Sequence, residues 1–189
     1  MESTGVTVLG ARNTPASHFR ILEHSRFLYS ERMQNLLRTI EFLALSLWLG
    51  SDVFLSFVVA PGAFRILGSR DQAGTMVGYT LGVMHMGGIV CGIVLLAARL
   101  LRTKTFASIA TPAALCVALM IVLTAISQFT VSAKMAALRV QMGSIQATAT
   151  DSALLAEFSK LHRISVSLES GVLLAGIAAM YLMARELAL

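Results

Sequence analysis

Residues 151–170, DSALLAEFSKLHRISVSLES, lead into the last long apolar run of the chain and carry ionisable side chains into it. His162, Arg163 and Glu169 lie in this stretch, and so does Ser165. Polar and ionisable groups inside an apolar span are costly unless they have partners. The stretch therefore either packs against a specific polar neighbour or takes part in chemistry, and the rest of the chain must supply that neighbour.

Three more apolar runs precede this one, and together the four runs indicate a membrane protein. The 189 residues are 56% hydrophobic and 13% charged, and the mean hydropathy is +0.76. A soluble domain carries about 25% charged residues, and a helix needs roughly 20 mainly apolar residues to cross a bilayer. We predict an all-α polytopic membrane protein with a four-transmembrane-helix bundle over residues 36–189. The spans are expected at about 36–60, 73–101, 106–131 and 159–185.

Residues 1–35 are predicted to be a tail that contains an amphipathic segment. Between residues 17 and 35, phenylalanine, isoleucine and leucine alternate with Arg20, Arg26 and Arg32. A basic amphipathic helix of this kind lies in the headgroup region of a membrane. The segment is therefore expected to be cytoplasmic and interfacial, or to dock on a partner.

Proline, glycine and capping residues predict where the helices begin and end. Pro61 is expected to end the first span, because proline cannot continue a helix without losing a hydrogen bond. Asp71 is expected to cap the second helix. Pro112 lies early in the third span and predicts a mild kink. That helix is expected to continue beyond the membrane as far as Gly143.

The basic residues predict topology and not nucleic-acid binding. The net charge is +5 and the isoelectric point is about 9.8, but the Lys and Arg residues mostly flank the apolar runs. That pattern is typical of membrane orientation and anionic headgroups. With both termini inside, nine Lys and Arg residues fall in inside segments and six in outside segments. We predict a multi-pass protein of the cell membrane with both termini in the cytoplasm.

Glycines recur along the second span and predict a packing face. They are Gly74, Gly78, Gly82, Gly88 and Gly92. Small residues at such spacing let helices approach closely in lipid. His85 is seven residues, or nearly two turns, from Gly78 and from Gly92. The imidazole is therefore expected to face a neighbouring helix.

Depth along the helices, at about 1.5 Å per residue, separates the polar residues into two predicted clusters. The buried polar cluster comprises Asp52, His85 and Glu169. The outer-rim polar cluster comprises Gln128, His162, Arg163 and Ser165. On the fourth helix the spacing of His162, Ser165 and Glu169 places all three on one face, which is expected to point into the bundle.

The buried polar cluster is compatible with three uses. The simplest is a hydrogen-bonded cluster in which His85 and Glu169 satisfy one another, together with Ser165. A metal site is the second, because imidazole with carboxylates suits zinc, iron or manganese. Its candidate ligands are His85, Glu169 and Asp52, although no HxxxH or ExxH pair fixes two ligands on one helix face. A proton or ion path is the third.

Haem and enzymatic chemistry find less support in the sequence. His85 and His162 are offset by roughly nine residues, or about 13 Å, which is too far for both to ligate one haem iron between them. No nucleophile–base pair, phosphate loop or dinucleotide fingerprint occurs. We therefore predict no catalytic residues and no resident cofactor, with a metal or haem as the alternative.

Two segments resemble the transmembrane protein 205-like family, which is also described as a domain of unknown function. The first segment contains Trp48-Leu49-Gly50, Phe54, Ala60-Pro61, Phe64, Ala73-Gly74 and Gly78, and the second contains Phe158, Leu161-His162, Ser165 and Leu168. The resemblance covers roughly residues 40–185. It implies a four-helix membrane protein with no established catalytic activity. Family members often have an amide near the position of Glu169, so the carboxylate is a departure and no role is carried over to it.

A weaker similarity is to copper-resistance-D-like and protoporphyrinogen-oxidase-like four-helix proteins. Those proteins rely on a histidine in the first span, and this chain has none there. The sequence therefore favours a small non-enzymatic integral membrane protein, an accessory or structural subunit of a membrane complex. Its expected partners are the lipid bilayer and other membrane subunits or a second copy. The alternative is a metal- or haem-binding transporter or redox protein that uses Asp52, His85 and Glu169.

Overall fold

The computed structural model describes the backbone of residues 15–188 and the side chains from Ser30 to Ala188. Within that part of the chain every regular element is helical, and no strand occurs. The α-helices are α1 (Pro15–Phe54), α2 (Ala60–Ile66), α3 (Arg70–Thr103), α4 (Pro112–Ile126), α5 (Ala133–Met142) and α6 (Ala153–Leu187). A π-helical segment, Leu55–Val59, joins α1 to α2, and a second one, Ser127–Ser132, joins α4 to α5. A short 3-10 helix, Phe106–Ala110, precedes α4.

Four continuous helical stretches are long and apolar enough to cross a membrane, which confirms the predicted fold class. They are span one (Ser30–Ile66), span two (Arg70–Thr103), span three (Pro112–Met142) and span four (Ala153–Leu187). Large apolar side chains remain exposed along all four of them, as expected for contact with lipid. The chain is therefore a multi-pass membrane protein.

The chain divides into two units after Leu36, and the second unit begins at Leu37. The side chains of residues 1–29 lie outside the described residues, so the predicted amphipathic face of residues 17–35 stays a prediction. All contacts below belong to the second unit.

The second unit is packed differently at its two ends. We call them the Lys104 end, where spans two and three connect, and the Gly143 end, where the other two connections lie. The apolar core is formed mainly by residues near the Lys104 end, and its fully buried side chains include Leu45, Trp48, Leu95, Val117 and Met120.

At the Gly143 end the helices pack in pairs. Helix α2 packs against α3, whereas α6 packs against α5, and among the described residues neither α2 nor the π segment before it packs against α6. The bundle is therefore closed at the Lys104 end and divided at the Gly143 end.

Two proline predictions were wrong. Helix α2 continues past Pro61 and ends at Leu67, because the proline lies in the first turn after a π segment, where its missing N–H has no obligatory acceptor. Pro112 is the first residue of α4 and does not kink it. The residues before Pro112 form the 3-10 helix and are not part of α4.

The connection after Gly143 is attached to the start of span two. Ser69, and not Asp71, caps α3, since its hydroxyl accepts the Asp71 N–H at 3.2 Å. The Asp71 carboxylate instead accepts hydrogen bonds from the Ser144 hydroxyl at 2.6 Å and the Ile145 N–H at 2.7 Å. Span three does continue to Gly143, which has φ 68°, as the sequence predicts.

Candidate functional site

The glycines of α3 make room for side chains of other spans. A Cβ on Gly88 would overlap the Trp48 indole nitrogen, and one on Gly92 would lie 2.8 Å from a Trp48 ring carbon. A Cβ on Gly74 would lie 2.8 Å from Nη2 of Arg139. The close approach that these glycines permit is therefore to an indole from span one and a guanidinium from span three.

His85 connects three spans through its imidazole ring. The ring is fully buried, with Nδ1 2.8 Å from Gln128 Oε1 and Nε2 2.6 Å from Glu169 Oε1. Ser127 donates its hydroxyl to the same Glu169 oxygen at 3.1 Å. His85 and Glu169 are thus partners, as the sequence suggested, but the hydroxyl that joins them belongs to Ser127 and not to Ser165.

Both ring nitrogens of His85 are occupied by these contacts. With Gln128 Oε1 facing Nδ1, the ring donates from both nitrogens; with the amide turned over, Nδ1 accepts from the Gln128 amide nitrogen. Either arrangement leaves no free lone pair on the imidazole. A metal or a haem iron could bind His85 only after one of the two hydrogen bonds had broken.

Gln128 requires a correction, since it belongs to the buried cluster and not to the outer rim. The third span was expected to leave the membrane at residue 131 and to continue as a helix to Gly143. The helix does run to Met142, and Gln128 lies near its middle, 2.8 Å from His85. The wider turn of the π segment brings Ser127 and Gln128, which are adjacent in sequence, to the same cluster.

Asp52 lies in span one and is less well satisfied than His85. It is 2% exposed, and its one hydrogen bond is a long one, from the Ser56 hydroxyl to Oδ1 at 3.4 Å. Oδ2 of Asp52 and Oε2 of Glu169 are both buried without a hydrogen-bond partner. Among the described residues, no group of three or more His, Cys, Asp and Glu side chains is placed to hold a metal ion.

A cavity of about 670 Å³ lies where α2 and α6 diverge. Phe57, Phe64 and Val166 line it while remaining more than half exposed, so it is open on that flank. Asp52 and Glu169 line it as well. A volume of this size and a mainly apolar lining with a few polar groups are typical of small-molecule sites. No pattern in the sequence indicates the cavity, because it depends on how the spans diverge.

The predicted outer-rim residues of α6 are divided between the cavity and the surface. His162 and Ser165 line the cavity on the same helix face as Glu169, as their spacing predicts. Arg163 is exposed and does not line it. Arg139, from span three, completes the rim, with its guanidinium carbon 5.4 Å from the centre of the Phe158 ring.

An ion-pair network that the sequence did not predict lies at the Lys104 end, where the basic residues were expected only to flank the apolar runs. Arg102 binds Glu41 with two hydrogen bonds of 2.7 and 3.2 Å. Arg99 is 3% exposed and donates to both carboxylate oxygens of Glu186 at 2.7 Å. Arg99 Nη1 also lies 3.7 Å from Glu41 Oε2. The signal in the sequence was two acidic and two basic residues expected at one end of the bundle.

Comparison with known proteins gives a family and no function. A family model described as a domain of unknown function, DUF4149, matches residues 43–144, which is more than half of the chain. The matched range contains Asp52, His85 and Gln128, and it ends before Glu169. No curated protein and no solved structure matches the chain, and the more specific transmembrane protein 205-like name gains no support. The chain belongs to the DUF4149 family of unknown function.

Proposed function

We propose that this protein is a non-enzymatic membrane protein that binds a small, partly apolar molecule in the cavity between α2 and α6. It serves as a carrier or as the ligand-binding part of a membrane complex. The observation that supports this most is the pair of unpartnered carboxylate oxygens, Asp52 Oδ2 and Glu169 Oε2, on residues that line the cavity.

A purely structural role explains these oxygens poorly. A buried polar group without a hydrogen bond costs about 1–3 kcal/mol, and a charged one costs more. His85 and Ser127 satisfy only the other Glu169 oxygen. Both oxygens are closed to water in this conformation, so a rotation of each carboxylate would turn them towards donors supplied by a molecule in the cavity.

The closed Lys104 end favours binding over an open pore. Beyond the buried cluster, Leu45, Trp48 and Met120 are fully buried in the apolar core. The ion pairs of Glu41, Arg99, Arg102 and Glu186 follow at the end of the bundle. The cavity is therefore blind, which suits a binding protein or one conformation of a carrier.

The accessory or structural subunit predicted from the sequence is the second candidate. It is supported by a stripe of large apolar side chains on span one that are more than half exposed: Leu43, Leu47, Phe54 and Phe57. Lipid, another subunit or a second copy of the chain could cover this stripe. A resident metal or haem, the other alternative from the sequence, has weaker support because both nitrogens of His85 are engaged.

Native mass spectrometry of the protein, purified in a mild detergent, tests these proposals together. We expect the chain to retain a small organic molecule, and we expect Gly78→Leu to lose it. Gly78 lines the cavity, and a Cβ there meets only Arg139 Nη1, at 3.8 Å. Gly87→Leu is the matched control, since Gly87 lies on the same helix and a Cβ there meets nothing within 4 Å.

The same spectra separate the alternatives. Equal retention by both glycine variants, or a wild-type chain without any bound molecule, contradicts a ligand site in the cavity. A mass that includes other subunits or a second copy supports the subunit role. A stoichiometric metal or haem mass that is lost in His85→Ala revives the cofactor alternative.

A further inference from the structure

The geometry points to the chemical class of the ligand: an organic ammonium ion whose charged group is held between Asp52 and Glu169. Its apolar part extends along the phenylalanine side chains of the cavity. This inference rests on the proposed function and deepens it. Three observations support it: the charges of the residues around the cavity floor, the hydrogen-bond donors and acceptors that they leave unpaired, and the size and lining of the cavity.

The floor of the cavity has an excess of acidic groups. Two carboxylates, Asp52 and Glu169, lie there with a single basic group, the His85 ring, behind them. The lining cations Arg70 and Arg139 lie towards the Gly143 end. Arg139 packs on Gly74, which precedes His85 by eleven residues, or about 16 Å along α3. A positive charge entering the floor therefore meets more negative than positive groups.

The hydrogen-bonding groups at the floor call for donors. Asp52 Oδ2 and Glu169 Oε2 both lack a partner. An ammonium group has several N–H donors and no acceptor, so its chemistry matches what both carboxylates lack. A hydroxyl has a single donor, and a carboxylate or phosphate would add further acceptors to a site that already has too many.

The size and lining of the cavity favour an organic cation over a bare ion. About 670 Å³ is far more space than a metal ion and its coordination shell require. Phe57, Phe64 and Phe158 line this space. Aromatic rings bury apolar groups and also attract cations to their faces.

Arg139 is the feature that would favour an anion instead. Its guanidinium is half-buried at the rim, stacked on Phe158, and it interacts electrostatically with Asp71. The positive charge of Arg139 is thus partly compensated by Asp71, which also lies at the Gly143 end. For Asp52 the His85 ring is the compensating group, but Asp52 shares that ring with Glu169, which carries charge of the same sign.

The test compares three probes of one shape and different charge: 4-phenylbutylamine, 4-phenylbutanol and 4-phenylbutyrate. Binding to the full-length protein in detergent is measured by isothermal titration calorimetry. We expect the amine to bind about tenfold or more tightly than either of the others, since charge-assisted hydrogen bonds are the strong ones. We expect Asp52→Asn and Glu169→Gln each to weaken amine binding about tenfold and to leave the alcohol within about threefold. Retained alcohol binding shows that the variants still fold and keep the cavity.

Arg65→Gln is the control, because Arg65 is exposed and does not line the cavity, and it is expected to leave amine binding within about threefold of wild type. If the butyrate binds more tightly than the amine, and if Arg139→Gln abolishes that binding, the inference of a cationic ligand is wrong. The cavity would still be a ligand site. If all three probes bind equally well, and if Gly78→Leu abolishes their binding, the cavity is a ligand site that does not select for a positive charge, and the inference is again wrong. Failure of all three to bind the wild-type chain would contradict the proposed function itself.

Discussion

The two ends of the bundle contain similar residues and use them differently. At the Lys104 end, two carboxylates meet two guanidinium groups beside a cavity of about 190 Å³, and Arg99 Nη1, which makes no hydrogen bond, lies 3.7 Å from Glu41 Oε2. In the half towards the Gly143 end, two carboxylates share one imidazole, two of their oxygens lack partners, and a cavity of about 670 Å³ lies beside them. Carboxylates paired with guanidinium groups are typical of structure, whereas carboxylates with unpartnered oxygens beside a large apolar cavity are typical of a binding site.

The largest expected effect is the loss of a paired charge at the Lys104 end. Arg102→Leu removes both hydrogen bonds of the buried Glu41 carboxylate and leaves it only Arg99 Nη1, at 3.7 Å, and breaking a buried ion pair costs about 3–5 kcal/mol. Thermal unfolding followed by circular dichroism in detergent should show a much lower Tm. Arg65→Leu is the control, because Arg65 is exposed and should change stability by less than about 0.5 kcal/mol. Equal Tm values for the two variants would mean that the network is not structural.

An intermediate effect should separate the tight and open parts of α3. In Gly88→Ala the new methyl group collides with the Trp48 indole, and such overpacking costs about 1–3 kcal/mol. In Gly78→Ala it meets only Arg139 Nη1, at 3.8 Å, so the gain in helix propensity should leave the protein as stable or more stable. Both Tm values come from the same unfolding assay. When Trp48→Leu is also present, Gly88→Ala should no longer lower the Tm. If it still lowers the Tm, the new methyl group collides with a residue other than Trp48.

The smallest effect, and the most telling, is expected from Asp52→Asn. Removing a buried charge that has only one long hydrogen bond, from Ser56, should leave the free energy of unfolding unchanged or raise it by about 1 kcal/mol. If Asp52 were a structural carboxylate like Glu41, the same substitution would instead lower the free energy of unfolding. A loss of more than about 1 kcal/mol would mean that Asp52 is held by partners as Glu41 is, and would remove the contrast between the two ends.

Some of the candidate site was predictable because it depends on local pattern. Apolar length predicts four spans, and helical spacing places His162, Ser165 and Glu169 on one face that lines the cavity. The partnership of His85 with Glu169 followed from their similar depth. Each of these predictions uses only the rise and the period of an α-helix, which every residue of a helix shares.

Other contacts depended on where the helices end. Depth counted from an expected membrane boundary at residue 131 placed Gln128 at the rim. The helix continues to Met142, as predicted, and Gln128 contacts His85 near the middle of that helix. The π segment Ser127–Ser132 also changes the direction in which the side chains of Ser127 and Gln128 point. No pattern in the sequence predicts this π segment.

The amino-acid sequence by itself determined an all-α chain with four membrane spans. A run of some 20 apolar residues is long enough to cross the hydrocarbon as a helix, whatever the rest of the chain does. It also determined which polar groups need partners. Only the tertiary structure decided which groups meet: Gln128 and Ser127 with His85 and Glu169, and Arg99 with Glu186. Those contacts, and the cavity beside Asp52, depend on helix ends, rotations and divergence, which are set by packing between spans distant in sequence.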